Sequence, residues 1–185
     1  TAVYGLGRIG LPLSLVYASA TGEVAGVASD RETARQINDG ECPIAHEPRL
    51  KSLLRTAVGA EALTATADVS TVAAAASVHV VVSETGVRAD DVPDLSTLRT
   101  TLRDIARELD AGDLVLVESA VPPGTCQDIV APILEAGSGL DKGEFGVAAC
   151  PSRAAPGRAL TDLRGSHPKL VGGVDAESTR AAALV

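Results

Sequence analysis

Ala2-Val3-Tyr4-Gly5-Leu6-Gly7-Arg8-Ile9-Gly10-Leu11-Pro12 is the stretch that decides the fold of this 185-residue chain. A short apolar run enters a G-x-G-x-x-G triplet, and an apolar helical pattern follows from about Ile9 to Ala20. In a strand–turn–helix of this kind Gly5 permits the tight turn and Gly7 lets backbone approach a pyrophosphate. Gly10 lets helix and strand pack closely. The start of the helix then offers unpaired N–H groups to phosphate oxygens. The motif predicts a dinucleotide site, against the plainer reading of a merely tight βα turn.

Working outward, short apolar runs alternate with helical patterns. Val24–Val27 is a second strand, and Glu32–Asn38 a helix after it. Asp39–Pro48 reads as a loop, Arg49–Ala57 as a helix, Leu63–Thr66 as a short strand and Ala73–Ala76 as a small helix. The continuous apolar run Val78–Val82 has the character of a strand buried on both faces. Asp94–Leu109 has helical spacing of Leu95, Leu98, Leu102, Ile105, Ala106 and Leu109. Leu114–Val117, Phe145–Ala149 and Lys169–Val171 read as further strands, with a helix over Asp128–Glu135. This alternation predicts an α/β, Rossmann-like, doubly wound parallel sheet in three α/β/α layers. The final pattern, Asp175–Val185, opens a helix without a Gly or Pro stop. The expected division is a dinucleotide domain over 1–174, with 175–185 the start of a helix leading to a central domain.

The acidic residue that receives the adenosine ribose in such folds should end the second strand. That place reads Val27-Ala28-Ser29-Asp30-Arg31. Ala28 has no acceptor, and Asp30 reaches the ribose only if the loop shifts. The plainer reading makes Ser29 the cap of the next helix, with Glu32 completing a capping box. A missing carboxylate followed by Arg31 also admits a 2′-phosphate, hence NADP beside NAD.

Composition narrows the class. The chain has no Trp and no Met, one Phe and two Tyr, yet 45% of its residues are apolar, so Val, Leu, Ile and Ala must build the core. Its 16 basic and 24 acidic residues give a net charge of −8, which argues against a nucleic-acid footprint. No apolar run reaches the roughly 18 residues of a membrane span, and no basic-then-apolar leader opens the chain. These features predict a soluble, cytoplasmic protein. Cys42, Cys126 and Cys150 lack C-x-x-C spacing and suggest neither a disulfide framework nor a metal site.

Several blocks now carry a resemblance. Gly5-Leu6-Gly7-Arg8-Ile9-Gly10-Leu11-Pro12 resembles the opening of the UDP-glucose/GDP-mannose dehydrogenase family. So do Cys42-Pro43-Ile44-Ala45-His46-Glu47-Pro48, Pro93-Asp94-Leu95-Ser96, Glu118-Ser119-Ala120-Val121-Pro122-Pro123-Gly124-Thr125, Cys150-Pro151-Ser152-Arg153 and Pro168-Lys169-Leu170-Val171-Gly172-Gly173. The blocks are collinear and cover the chain. The Cys-Pro-x-Arg form is closest to the N-acetylmannosamine and GDP-mannose branch.

The resemblance implies a nucleotide-sugar 6-dehydrogenase, which oxidises a C6 alcohol to a carboxylate with NAD as hydride acceptor. It also implies a central helical domain, a second α/β domain for the nucleotide sugar, and a homodimer when the protein is full length. This chain would be the first part only, with the nucleophilic Cys and catalytic Lys beyond residue 185. Carried over residue by residue, Arg8 and Ile9 cover the pyrophosphate through backbone N–H groups. Thr85 borders the nicotinamide, with Glu84 and Gly86 in place of the family's flanking prolines, so its loop should be less rigid. Ser119 and Ala120 lie beside the nicotinamide, and Arg153 contacts the sugar nucleotide.

Three positions depart from the family. Ala28 replaces the ribose acid, Ala120 the water-holding Thr, and Ser152 the Glu of the acid–base chemistry. Serine is no base without an activator. His46, His79 and His167 read as structural residues, and Cys150 as a packed thiol. Two function classes remain open: the dehydrogenase domain, or a catalytically degenerate Rossmann module that binds a nucleotide or partner without turnover. A β-hydroxyacid dehydrogenase would share the glycine loop but not the later blocks.

Overall fold

The structure, a computed structural model, describes residues 1–166 and 168–185, without the side chain of Ser166. His167, expected to be structural, lies outside the described residues. Strands β1 (Ala2–Tyr4), β2 (Val24–Val27) and β3 (Leu63–Thr66) follow the expected bounds. So does β4 (Val78–Val81), to within a residue. Helices α1 (Gly10–Thr21), α2 (Arg31–Asn38), α3 (Leu50–Gly59) and α4 (Val69–Ala73) lie between them. The small helix thus begins earlier than the alanine run 73–76 predicts, because Asp68 accepts the Thr71 N–H and starts it there.

Beyond β4 the chain forms a two-residue ribbon, β5 (Gly86–Val87) and β6 (Pro93–Asp94), that sequence periodicity is too short to show. Next come α5 (Ser96–Ala106), β7 (Leu114–Val117), a π-type turn Cys126–Val130 running into α6 (Ala131–Ser138), and β8 (Gly146–Ala149). The short helix α7 (Ala159–Thr161) passes into a second wide turn over Asp162–Ser166. The expected strand Lys169–Val171 does not form. Instead β9 (Gly172–Gly173) pairs antiparallel with β8. A Cβ on Gly173 would lie 2.3 Å from the Thr179 amide nitrogen, so the close return of α8 (Ala176–Ala182) requires glycine there.

Among the described residues one sheet runs β3-β2-β1-β4-β7-β8-β9, with the first six strands parallel. The strand order reverses between β1 and β4, which opens the crevice where doubly wound folds bind ligands. Alternation along the strands sends Val3, Val80, Leu116 and Ala148 to one face, against Leu11, Leu15, Leu54 and Leu160. Tyr4, Val81, Val117 and Val147 face the other side, against Leu98, Leu102, Ile105 and Leu134. Helix α8 docks on this frame: buried Ser178 accepts the Val147 N–H at 3.2 Å.

At the start of β4 the fully buried His79 bonds the Tyr4 hydroxyl at 2.8 Å and Asp113 at 3.3 Å. Burial pulls its pKa down, so it is a neutral structural residue, as expected. His46 is exposed in the loop before α3.

Candidate functional site

The glycine loop is built from two different necessities. Gly5 leaves β1 at φ 106°, and its N–H and that of Leu6 both bond the Val27 carbonyl, at 2.9 and 3.1 Å. A Cβ on Gly5 would lie 2.4 Å from the Val82 carbonyl oxygen. One on Gly10 would lie 1.8 Å from the Gly5 carbonyl oxygen. These two glycines are demanded by the protein's own packing. Gly7 is not: a Cβ there meets nothing within 4 Å, and its φ lies outside the left-handed region. Gly7 and Arg8 are exposed at the mouth of the loop.

Above Gly7, α1 begins with no side-chain cap at Ile9. The starts of α2, α4 and α8 are each closed by an aspartate. Asp30 accepts the Thr33 N–H at 2.8 Å, Asp68 the Thr71 N–H at 3.3 Å and Asp175 the Ser178 N–H at 2.7 Å. An open helix end over an empty glycine floor is the arrangement that suits a diphosphate.

The end of β2 corrects one expectation. Asp30, not Ser29, caps α2, and the Ser29 hydroxyl donates to Asp30 Oδ2 at 2.8 Å. Glu32 pairs with Arg35 and completes no capping box. The hydrogen bonds from Thr33 and Ser29 hold the Asp30 carboxyl below the usual carboxylate range. A carboxylate has about four lone-pair sites, so capping leaves room for one further donor. Ala28 is buried, with its N–H bonded to the Thr66 carbonyl.

Across the crevice, the loops after β4 and β7 clasp one another. Ser119 Oγ accepts the Ser83 N–H at 2.8 Å, and Thr85 Oγ1 donates to the Ala120 carbonyl at 2.7 Å. The structure therefore joins Thr85, Ser119 and Ala120. The clasp and the β5–β6 ribbon hold the Thr85 segment, expected to be a less rigid loop. A cleft of about 340 Å³ continues past Ser119, walled by Thr125, Ala149, Pro151 and Gly173.

The Cys150–Arg153 segment leaves β8 on the far side. The Ser152 N–H donates to the Glu118 carbonyl at 3.1 Å, and its hydroxyl oxygen accepts the Ala154 N–H at 3.4 Å. Arg153 donates to the Pro168 carbonyl at 2.9 Å. Burial pushes the thiols of Cys150 and Cys126 up to about 11, which makes them packed groups and poor nucleophiles.

Sequence reading missed the charged pair beneath this segment. The side chain of Glu118 is completely buried and is bound through both oxygens by Lys169 Nζ. Burial pushes the Glu118 carboxyl above its usual range, and Lys169 opposes that push. One available signal was a carboxylate directly after the all-apolar strand Leu114–Val117. The 51 residues separating it from Lys169 hid the partner.

Residues 1–185 match the NAD binding domain of the UDP-glucose/GDP-mannose dehydrogenase family. The chain belongs to this family. It is 35% identical over 184 residues to the UDP-N-acetyl-D-mannosamine dehydrogenase of Pyrococcus horikoshii, covering 98% of this chain and 42% of that relative. The NDP-N-acetyl-D-galactosaminuronic acid dehydrogenase structure from Methanosarcina mazei superposes with a TM-score of 0.90 at 32% identity, over 98% of this chain and 40% of that one. The GDP-mannose dehydrogenase of Pseudomonas aeruginosa, solved as a ternary complex, gives 0.92 at 26% identity, over 99% and 43%. The chain thus spans about two-fifths of the length of the relatives it matches, their NAD-binding portion.

Proposed function

We propose that this chain holds NAD along the C-terminal edge of its sheet and serves as the dinucleotide domain of a nucleotide-sugar 6-dehydrogenase. The whole protein would oxidise the C6 alcohol of a UDP- or GDP-sugar to the uronate. One observation carries the reading: the empty floor at Gly7 beneath the uncapped start of α1. The bound dinucleotide supplies a hydride acceptor.

The chain's own residues bind and orient. Gly5 and Gly10 shape the turn, Gly7 admits the diphosphate, and the backbone N–H groups of Arg8 and Ile9 face it. Asp30 keeps an acceptor for the adenosine ribose while capping α2. Thr85, Ser119 and Ala120 frame the nicotinamide side, fixed by their clasp. Arg153 has five N–H donors and spends one on Pro168, leaving a fork for the sugar nucleotide. The kinship with UDP-N-acetyl-D-mannosamine dehydrogenases supports an N-acetylated hexosamine as the sugar. In this reading residues 1–174 are the dinucleotide domain. Helix α8 leads toward a central domain, and the substrate domain and nucleophile lie beyond. The full-length homodimer works in the cytoplasm and feeds polysaccharide assembly.

The test is turnover by full-length protein: NADH formation with UDP-N-acetylmannosamine supports the reading. No NADH with any of a panel of UDP- and GDP-sugars overturns it. Ser152 and Ala120 favour a second reading, a nucleotide-binding module without turnover, because no imidazole or carboxylate is bonded to the Ser152 hydroxyl among the described residues. NAD binding by an inactive full-length protein that gains turnover in Ser152→Glu/Ala120→Thr would select that module.

A further inference from the structure

We infer that the buried Glu118–Lys169 pair sets the preference of this domain for the oxidised over the reduced cofactor, with Glu118 acting as an electrostatic positioning residue at the nicotinamide side. The inference rests on the dinucleotide reading above.

Position comes first. Glu118 is the residue directly before Ser119, at the C-terminal end of β7. Alternation along β7 puts its side chain on the same face as Leu116, the face that carries α1. The open end of α1 starts from the C-terminal end of β1 on that face. In the order β1-β4-β7 the carboxylate therefore stands two strand spacings from the glycine loop, roughly 10 Å. In the dinucleotide reading, the half beyond the diphosphate would lie on this side, between the α1 end and the Thr85–Ala120 clasp.

Charge comes second. The Glu118 side chain has no solvent exposure, whereas the side chain of Lys169 is 43% exposed, so water screens the cation more than the anion. Unequal screening leaves the pair's buried end the negative one. Glu118 lowers the acidity of Tyr17 on α1 and of Cys150 at the end of β8, after the larger effect of burial, and Lys169 opposes it at Cys150. A pyridinium ring carries a positive charge that hydride transfer removes. A buried negative charge on this face stabilises the ring before transfer and not after it. Burial pushes the Glu118 carboxyl up, and Lys169 Nζ, bound to both of its oxygens, opposes that push and favours the carboxylate.

A latch that merely ties β7 to the segment before β9 would influence both redox forms alike. The experiment therefore reads a ratio. NAD+ is titrated calorimetrically and NADH by its own fluorescence, which a chain without Trp leaves clear. The chain is compared with Glu118→Gln and with the neutral pair Glu118→Gln/Lys169→Met, which leaves no unpaired buried charge and so guards against misfolding. Glu118→Gln is expected to weaken NAD+ about five-fold while NADH changes less than about two-fold. The double variant should shift the ratio in the same direction by less. Equal changes in both affinities, or an unmoved ratio, overturn the inference while leaving the dinucleotide site intact. If the unaltered chain binds neither form, the dinucleotide reading fails and this inference falls with it.

Discussion

The start of α1 and the starts of α2, α4 and α8 solve the same problem in opposite ways. Every helix begins with N–H groups that have no partner inside it. At α2, α4 and α8 the chain supplies one, an aspartate placed one residue ahead of the helix. At α1 it places Ile9, which caps nothing, and sets an uncrowded glycine two residues before it. The starts of α3, α5 and α7 also have no side-chain cap from the residue ahead of them. The bare end of α1 is set apart by the uncrowded Gly7 two residues before its cap position, at the mouth of the glycine loop. The distinction is written into side-chain chemistry, so single substitutions can break it.

The largest expected effect is structural. Gly10→Ala drives a methyl into the Gly5 carbonyl and should cost about 3 kcal/mol in urea denaturation, a loss that no dinucleotide relieves in full. Removing a seal is milder. Asp175→Ala should cost about 1 kcal/mol by the same measurement and leave NAD+ affinity unchanged, because α8 starts away from the glycine loop. If its affinity falls with its stability, sealed and open ends are not independent.

A smaller effect concerns the sealed interior pair of His79 and Tyr4. Burial lowers the His79 pKa, so the unfolded chain binds the proton more readily than the folded one. Stability from this group is full above about pH 6.5 and is lost as pH falls toward the folded value. Denaturation midpoints at pH 7.5 and 5.5 should differ, and His79→Gln should shrink the difference. The smallest effect is Asp30→Asn. Asparagine caps as well as aspartate, so the melting temperature should hold while discrimination against NADP+ relaxes. A fall in melting temperature with discrimination intact would make Asp30 a seal and nothing more.

Much of this was legible in advance because it rests on local chemistry. The triplet Gly5-Gly7-Gly10, the buried apolar strands and the helical spacing of Leu98, Leu102 and Ile105 each state their structure within a few residues. Elements that depend on distant partners did not. β9 consists of two glycines with low strand propensity, chosen because α8 returns against Gly173. The β5–β6 ribbon is too short to alternate. The cap of α2 moved from Ser29 to Asp30 because adjacent residues of equal capping ability compete, and backbone geometry decides between them. At the site, the positions of Thr85 and Ser119 followed from the motif blocks. Their mutual clasp and the Glu118–Lys169 pair arise only when parallel strands bring separate loops to one edge.

The central claim, that the uncapped start of α1 awaits a dinucleotide, is tested most directly by titrating NAD+ into this chain and into Gly7→Ala side by side. The added methyl meets no protein atom, so the melting temperature should be unchanged, while NAD+ affinity should fall by at least about ten-fold because the methyl occupies the diphosphate's space. Equal affinity in the two proteins, or no binding by the unaltered chain, would contradict the account.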